Sequence, residues 1–412
     1  SLTSLYKKYY YLGILFFVIS LTTFFINQKL LNNLFVVFVS LIISLQFINL
    51  YFYIIGEGRL VDKRLNFDVY FDLKEQYPNK KVSVAYGPGN VLRRKFDGYN
   101  YLFPFSGISN SITPVCNETG KWSIIDTDRY GFNNLDKEWD KPYTHSIFVG
   151  DSFTHGACVS EKNNIVGQFK NLLNKDEFGV INLGYLSNGP LLYYTTFKEY
   201  SKYITPKNVF FLYWEGNDLL NLFEEMNSDM LRKYIEDKNF SQKLLERQDE
   251  IDNFWEGKKI DENVKKRTKN VLVKFLTFFH IREHIRLYKL FKANNEAKNK
   301  VIYSEDNNSI IREFENIIIN FEKEVEEKNG KFYFVYLPDY QRFKLDENQK
   351  KNHRRKNEII KIINQHNVNL IDISNEFEKL ENPYQYYPFE RDGHYNEDGY
   401  RLIASVLYKY IN

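Results

Sequence analysis

The chain has 412 residues, enough for two or three domains of typical size, and its 56 basic and 53 acidic side chains leave a formal net charge of +3. So balanced a charge gives no reason to expect nucleic acid as the main partner. The two cysteines are too few for a cysteine-rich zinc site. The chain does not begin with Met, so we expect an amino end that is truncated or processed.

Residues 1–55 are predicted to form a transmembrane helical hairpin. Tyr9 to Ile26 and Leu34 to Ile55 are almost wholly apolar and free of charge. Each run can cross a hydrocarbon core of about 30 Å at about 1.5 Å per residue, the first only just. A cleaved signal peptide for the first run and a buried helical hairpin are the alternatives. A signal peptide does not account for the second run, so a membrane hairpin is the better interpretation.

The side of the membrane on which the remaining residues lie stays open. Basic residues precede the first run and follow the second, and the positive-inside rule then places both ends in the cytoplasm (Lys7, Lys8, Arg59, Lys63, Arg64). Cys116 and Cys158 flank the turn at residues 150–152, as a disulfide pair would. One disulfide would fit an oxidising compartment, but two buried thiols are an equal alternative.

Residues 56–142 predict an irregular lead-in segment that packs on the main domain, because proline and glycine interrupt short strand-like pieces. In residues 143–412, apolar strands alternate with helical patterns. Near-continuous apolar strands separated by helices indicate an α/β domain with a parallel sheet covered on both faces. The predicted strands are Ser146–Val149, Val180–Leu183, Val209–Trp214, Phe332–Leu337 and Asn369–Ile373; the predicted helices include Val166–Leu173, Ile310–Glu327, Asn357–Gln365 and Gly399–Ile411.

A charged helical insertion follows the third strand, over residues 219–300. Within it, Val273 to Leu290 is amphipathic and carries basic side chains on an otherwise apolar, aromatic helix. Packing on the sheet domain is the simpler expectation, and a position on the membrane surface or against the hairpin is the alternative. His280 and His284 match a reversed zinc-protease spacing, but the helix offers no clear third ligand. We therefore predict no metal site and no cofactor.

Serine chemistry is predicted at the carboxyl edge of the sheet, where ligands bind in parallel α/β folds. Gly150-Asp151-Ser152 follows the first strand of the domain, so the Ser152 hydroxyl is exposed at a strand tip with its own backbone N–H beside it. His394 can accept the Ser152 proton and later return it to the leaving group. Asp392, two residues earlier, can hold the other ring nitrogen of His394.

Further donors for an oxyanion are predicted in the loops after the second and third strands. Asn217 offers a side-chain amide, and the loop from Ser187 to Gly189 offers a backbone N–H. With the Ser152 N–H they make three donors, each worth about 3–4 kcal/mol of transition-state stabilisation if aligned. Asn217 can also simply cap the helix that follows it, and the two roles are compatible.

These blocks, in this order, resemble the SGNH (GDSL-type) hydrolase superfamily over about Ser146 to Ile411. The resemblance implies a flavodoxin-like three-layer α/β/α fold with a five-stranded parallel sheet, and metal-independent acyl-ester chemistry. Two departures matter. The family's acid usually lies three residues before its histidine, where this chain has Arg391. The family usually has glycine where Ser187 falls, and if serine cannot adopt the required backbone angles, Gly189 is the donor.

Three other segments are similar to a membrane-anchored bacterial branch associated with envelope polysaccharide genes: Cys116-Asn117-Glu118, Asp128-Arg129-Tyr130-Gly131-Phe132-Asn133-Asn134 and Glu215-Gly216-Asn217-Asp218-Leu219. The resemblance therefore implies a protein integral to the bacterial cytoplasmic membrane that acts on acetyl esters of an envelope or secreted polysaccharide. An acyl-enzyme on Ser152 would pass its acyl group to water or to a sugar hydroxyl, and transfer would suit a multi-span membrane acyltransferase as partner. A non-catalytic glycan-binding or assembly protein with the same fold is the alternative.

Overall fold

The computed structural model describes residues 27–55, 61–62, 64–94, 101–257, 271–286, 288–289 and 308–411, together with positions 17 and 292. The described residues form two compact units. One unit, the anchor unit, consists of the helix Gln28–Ile55 and residues 271–289. The other, the sheet domain, contains the described residues of 61–257 and 308–411. The first predicted membrane run lies outside the described residues, apart from Phe17.

The helices of the described residues are α1 (Gln28–Ile55), α2 (Asn66–Gln76), α3 (Pro88–Arg94), α4 (Ser152–His155), α5 (Ile165–Leu173), α6 (Pro190–Tyr200), α7 (Asp218–Glu225), α8 (Asp229–Glu236), α9 (Gln248–Glu256), α10 (Val271–Leu276), α11 (Asn308–Glu327), α12 (Glu347–Asn352), α13 (Lys356–Gln365), α14 (Ser374–Glu378) and α15 (Glu397–Ile411). The strands are β1 (Lys81–Val82), β2 (Ser111–Cys116), β3 (Ser123–Asp126), β4 (Tyr143–Gly150), β5 (Phe178–Asn182), β6 (Asn208–Trp214), β7 (Lys331–Leu337) and β8 (Asn369–Asp372).

The main sheet has five strands in the order β5-β4-β6-β7-β8, and all neighbouring pairs are parallel. In β6, Val209, Phe211 and Tyr213 belong to the core on one face, while Phe210 and Leu212 belong to the core on the other. Successive side chains of a strand point to opposite faces, so a strand buried on both faces is apolar at every position. This is why the strands were visible as continuous apolar runs, and the predicted five-stranded parallel sheet is confirmed.

Helices cover both faces of the sheet and complete the predicted three-layer α/β/α arrangement. On one face, α6, α11 and α13 contribute fully buried side chains such as Phe197, Phe321 and Ile363. On the other face, α5 packs against α15, with Phe169 and Leu407 fully buried. Each such side chain contributes about 1.5–3 kcal/mol relative to an exposed position, so the two cores hold the strand ends in fixed register.

The lead-in segment forms a small sheet of its own and also joins the main core. Strand β2 pairs in parallel with β1 and antiparallel with β3. The aromatic side chains of Phe103, Phe105 and Phe132 are fully buried in the core that contains α6. The segment after β2 is thereby fixed on the sheet domain, and this segment carries residue 118.

Helix α1 is long and apolar enough to cross a membrane. From Gln28 to Ile54 it has a mean hydropathy of 2.2 in its most apolar window, and 6 % of that window is buried. A core helix of a soluble protein and a signal sequence pass the same test of length and composition, and of these two only the core helix is mostly buried. The second predicted membrane run, Leu34 to Ile55, lies within α1.

The amphipathic part of the insertion packs on α1, which corrects the expectation that it packs on the sheet domain. It is also not one continuous helix. Helix α10 ends at Leu276, Phe278 has a φ of +51°, and helical structure resumes over residues 279–286. The physical reason is a set of contacts with Asn49 of α1, described below.

A buried ion pair joins the loops that follow β6 and β7. Arg342 donates to the two carboxylate oxygens of Glu215 at 2.7 and 2.6 Å, and both side chains are buried. Glu215 also accepts hydrogen bonds from the Tyr336 hydroxyl at 2.5 Å and the Asp339 N–H at 2.8 Å. With both oxygens satisfied, the cost of removing the carboxylate from water is offset, and the loop before Asn217 is fixed.

Arg342→Leu should lower the free energy of unfolding by about 3–5 kcal/mol, because it leaves the Glu215 carboxylate buried without its counter-charge. Urea denaturation of the protein in detergent, followed by tryptophan fluorescence, measures the change. The control is Arg401→Leu, which removes an exposed arginine paired with Asp398 one turn away and should change stability by less than about 0.5 kcal/mol. Equal losses for the two variants would contradict the role of the buried pair.

Candidate active site

The turn Gly150-Asp151-Ser152 lies where β4 ends and the short helix α4 begins. The Asp151 carboxylate accepts the N–H of Phe153 at 2.8 Å, as an N-cap residue does. Position 150 requires glycine, because a Cβ there would lie 1.9 Å from the Thr154 hydroxyl oxygen. The close turn therefore fixes Ser152 at the tip of the strand.

The structure brings Ser152 and His394 together, as predicted, although 242 residues separate them. The Nε2 atom of His394 lies 2.8 Å from the Ser152 Oγ, a distance at which the imidazole can take the hydroxyl proton. The Phe153 ring packs against His394, with ring centroids 4.6 Å apart, and also against Trp214, at 4.4 Å. These contacts hold the imidazole in line with the serine.

The acid beside His394 is Glu118, which corrects the prediction of Asp392. Glu118 Oε2 lies 3.0 Å from the ring Nδ1 and accepts the backbone N–H of His394 at 2.7 Å. Asp392 is exposed and accepts a hydrogen bond from Gln341 at 2.5 Å. Glu118 reaches this position because residue 393 is glycine: a Cβ at Gly393 would lie 2.5 Å from Glu118 Oε2.

A disulfide ties the Glu118 loop to the loop after α4. Cys116 and Cys158, 42 residues apart, are bonded to each other, which decides between the two alternatives left open by the sequence. The Thr119 hydroxyl adds a hydrogen bond to the Cys158 carbonyl at 3.1 Å. The Cys158 sulfur lies 3.7 Å from His394 Nδ1, so the disulfide contacts the same ring edge as the acid.

The charges of Glu118 and His394 shift each other's pKa. Burial lowers the pKa of His394, but the negative charge of Glu118, the hydrogen bond to it and the charge of Asp151 outweigh burial, and the net pKa lies above its usual value of about 6.5. Burial raises the pKa of Glu118, and the charge and hydrogen bonds of His394 bring it below its usual range. An ionised Glu118 thus makes His394 a stronger base.

Ser187 and Gly189 are the two candidate oxyanion donors in the loop after β5, and the structure excludes Gly189. Its N–H donates to Glu225 Oε1 at 2.5 Å, and the other carboxylate oxygen of Glu225 accepts the N–H of Leu191 at 3.0 Å. Glu225 therefore satisfies the first N–H groups of α6, which have no partner within the helix.

Ser187 has a φ of +60°, the left-handed region that favours glycine. Serine thus occupies a position whose backbone conformation favours glycine, and Ser187 stays the predicted donor.

Asn217 lies at the amino end of α7, but its side chain does not cap that helix. The Asp218 carboxylate instead accepts the Trp214 N–H at 2.9 Å. The Asn217 Oδ1 atom is buried and has no hydrogen-bond partner among the described residues. The amide is therefore not used by the helix end, which agrees with the predicted oxyanion role without testing it.

His155, one turn after Ser152, is not a second candidate base. It is buried, and burial lowers its pKa to about 3 with a smaller contribution from the charge of His394. Its ring packs edge-on against Tyr185, with centroids 5.3 Å apart. The residue is part of the core beneath the serine.

Two groups of side chains in the described residues have the spacing of metal ligands. The first contains Glu118 and His394 with the two cysteines, whose sulfurs are bonded to each other. The second contains Glu215, Asp339 and His353, where Arg342 already occupies both oxygens of Glu215. The donors of both groups are engaged within the protein. His280 and His284 belong to neither group; their rings pack against aromatic side chains of α1.

Several solved structures are similar to the chain at low sequence identity. A protein of the G-D-S-L lipolytic family from Desulfitobacterium hafniense DCB-2 is 12% identical with a TM-score of 0.34, covering 65% of this chain and 98% of its own. The acetyl xylan esterase AlAXEase is 14% identical with a TM-score of 0.36, covering 65% and 100%. The lipase/acylhydrolase from Enterococcus faecalis is 13% identical with a TM-score of 0.33, covering 65% and 95%.

No protein-family model and no curated protein matches the chain. Similarities at this level establish neither a family nor a substrate for the chain.

Glu118→Gln should lower kcat on a model ester by roughly ten-thousand-fold, as expected when the acid of a triad loses its charge. Because His394 must be neutral to act as base, activity should rise with pH through the His394 pKa. Removal of the Glu118 charge lowers that pKa, so the acid limb of the pH–rate profile should move to lower pH. Asp392→Asn is the matched control, and a loss of activity confined to this control would contradict the assignment.

Replacing both cysteines, Cys116→Ser with Cys158→Ser, should lower the free energy of unfolding by about 4 kcal/mol, from the closure entropy of a 42-residue loop. Where circular dichroism shows the variant folded, kcat should fall as well, because Glu118 loses the tether two residues away. The acid limb should then shift in the same direction as in Glu118→Gln. A folded variant with an unchanged rate and profile would show that the loop is held without the bond.

Proposed function

We propose that the chain is a membrane-anchored serine hydrolase or O-acyltransferase that acts on acetyl esters of an envelope or secreted polysaccharide. The observation that carries the proposal is the hydrogen-bonded series from Ser152 through His394 to Glu118, with contacts of 2.8 and 3.0 Å. A nucleophile, a base and an acid in this geometry are the parts that acyl transfer needs.

The reaction follows from the positions of the side chains. Ser152 Oγ attacks the acyl carbonyl while its proton passes to His394 Nε2, and the Glu118 carboxylate stabilises the imidazolium. The Ser152 and Ser187 N–H groups and the Asn217 amide would bind the oxyanion. The imidazolium then protonates the departing sugar oxygen. Water or another sugar hydroxyl, deprotonated by His394, attacks the acyl-enzyme and releases Ser152.

The membrane position and the compartment are supported by different features. Helix α1 supports anchoring in the cytoplasmic membrane, because it is long, apolar and scarcely buried. The disulfide supports an exported sheet domain, since disulfides form and persist in oxidising compartments. An exported site would meet envelope or secreted glycans, and a multi-span acyltransferase in the same membrane could supply acyl groups from the cytoplasm.

The non-catalytic alternative predicts that His394 lies far from Ser152 and that Asp392 is turned away from His394. Asp392 is turned to Gln341, but Glu118 lies beside His394 in its place. The 2.8 Å contact between His394 and Ser152 counts against this alternative. Ser187 has a φ of +60°, in the region that favours glycine, so the presence of serine where the family usually has glycine does not exclude Ser187 as the donor. Catalysis is therefore the better interpretation of the site.

Ser152→Ala should lower the hydrolysis rate of a chromogenic acetyl ester by roughly ten-thousand-fold or more, because the acyl-enzyme can no longer form. Asn217→Ala should lower kcat by about 100- to 1000-fold with a small change in KM, because its amide acts on the transition state. Ser160→Ala, at an exposed position beyond α4, is the control. Wild-type activity in the Ser152 variant would overturn the mechanism.

Hydrolysis and transfer are separated by the product. Purified protein is given the acetyl ester with and without an oligosaccharide acceptor, and the products are identified by mass spectrometry. An acetylated oligosaccharide that forms with the wild type and not with Ser152→Ala establishes transfer. Free acetate alone establishes the esterase.

A further inference from the structure

Asn49 is fully buried in a helix whose other side chains are mostly exposed. It lies near the carboxyl end of α1, the helix that we propose to cross the membrane. A polar side chain at such a position is costly unless it is paired, so its partners indicate what lies beside the helix.

The partners of Asn49 are the two helix ends at the break in the insertion. Its Oδ1 accepts the N–H groups of His280 at 3.1 Å and Ile281 at 3.4 Å. Its Nδ2 lies 3.5 Å from the Phe275 carbonyl, which also accepts a hydrogen bond from Gln46 Nε2 at 3.2 Å. The first N–H groups and last C=O groups of helices have no partner within the helix. The Oδ1 of Asn49 thus caps the helix end at residues 280–281, while its Nδ2 is shared between the Phe275 carbonyl and Gln46 Oε1, which lies 3.4 Å away.

This capping distinguishes a break in water from a break in lipid. In water the N–H groups of His280 and Ile281 could bind solvent, without help from another helix. In hydrocarbon, non-helical backbone is tolerated only where protein groups satisfy it. The side chains of Asn49 and Gln46, on the apolar helix α1, supply such donors and such an acceptor. A helix break at membrane depth requires these groups.

The depth of the break follows from its position along α1. The apolar run of the sequence ends at Ile55, two residues before the charged Glu57. Asn49 precedes Ile55 by six residues, which is about 9 Å at about 1.5 Å per helical residue. Amphipathic helices that lie in a membrane interface bury their apolar face about 5–10 Å deep. The break therefore lies at the boundary between headgroups and acyl chains.

The surface of residues 271–289 has the composition of an interfacial element. Large apolar side chains are exposed along it, with Leu272 and Tyr288 exposed by 66% and 63%. Four basic side chains accompany one acidic side chain, Glu283, which pairs with Arg286 at 2.5 Å. Aromatic contact adds to the attachment, since the His284 and Phe52 rings are stacked with centroids 4.1 Å apart. Exposed apolar side chains with excess positive charge suit an anionic lipid surface.

We infer that residues 271–289 are a second membrane element, which lies in the interface of an anionic phospholipid bilayer beside α1 and is held there by Asn49. This inference rests on the proposed membrane anchoring through α1. The insertion is then an attachment device of the sheet domain, so the domain is joined to the bilayer at two separate points of its sequence.

The test places a fluorophore at single introduced cysteines in the full chain. The two native cysteines are bonded to each other and do not take up a thiol-reactive label. Leu276→Cys probes the inferred element, Val36→Cys probes the middle of α1, and Tyr203→Cys probes an exposed site of the sheet domain. Each is labelled with NBD in liposomes of phosphatidylcholine and phosphatidylglycerol. The liposomes contain lipid with a shallow nitroxide, near the top of its acyl chain, lipid with a deep nitroxide, near the end of its acyl chain, or neither.

We expect the nitroxide lipid to reduce NBD emission at least about twofold at position 276 and not at position 203. Quenching by deep nitroxide at position 36 without shallow quenching at position 276 would overturn this inference and leave the anchor in place. Absence of quenching at both positions would overturn the membrane anchoring as well.

Asn49→Leu keeps the size of the side chain and removes the caps. Trypsin cleavage after Lys274 or Arg282 in liposomes should then become about tenfold faster, because the element leaves the interface more often. The control is Ser44→Ala, which removes a hydroxyl bonded within α1 at 2.9 Å and should leave the cleavage rate unchanged. Equal cleavage of Asn49→Leu and the wild type would overturn the role of Asn49.

Discussion

The contact between Glu118 and His394 is the interaction on which the candidate site depends. One carboxylate oxygen accepts both the ring Nδ1–H and the backbone N–H of His394, and this leaves the opposite ring nitrogen without a proton to face Ser152. The contact joins residues 276 positions apart. The lead-in segment must therefore fold onto the domain, and the last loop must reach the sheet edge, before the serine has a base.

The sheet and the position of the site at its carboxyl edge are predictable, because buried strands are recognised in the sequence by their apolar residues. Strands such as β6, buried on both faces, are apolar at nearly every position, and parallel strands bring their carboxyl ends to one edge. The position of Ser152 at such an end, and of His394 in a loop before the last helix, follows from these patterns. The pairing of Ser152 with His394 could be predicted because few other groups of matching chemistry reach that edge.

The errors share a physical cause, which is that partners far apart in sequence leave no local pattern. The sequence favours Asp392 as the acid because it is close to His394, whereas Glu118 comes from an irregular segment. Two signals point to Glu118: the Cys116-Asn117-Glu118 block and the glycine at position 393. Gly189 could be excluded only once Glu225 was seen to take its N–H. The broken helix of the insertion depends on Asn49, more than 200 residues earlier.

The disulfide between Cys116 and Cys158 has a consequence for where the chemistry can occur. Because the bond forms in an oxidising environment, a newly made chain in a reducing cytoplasm carries Glu118 on an untethered loop. For the exported enzyme that we propose, oxidation of the two cysteines would tether Glu118 beside His394 only after export. In that proposal the acyl esters of the cell interior would need no separate inhibitor, because the site is completed outside the cytoplasm.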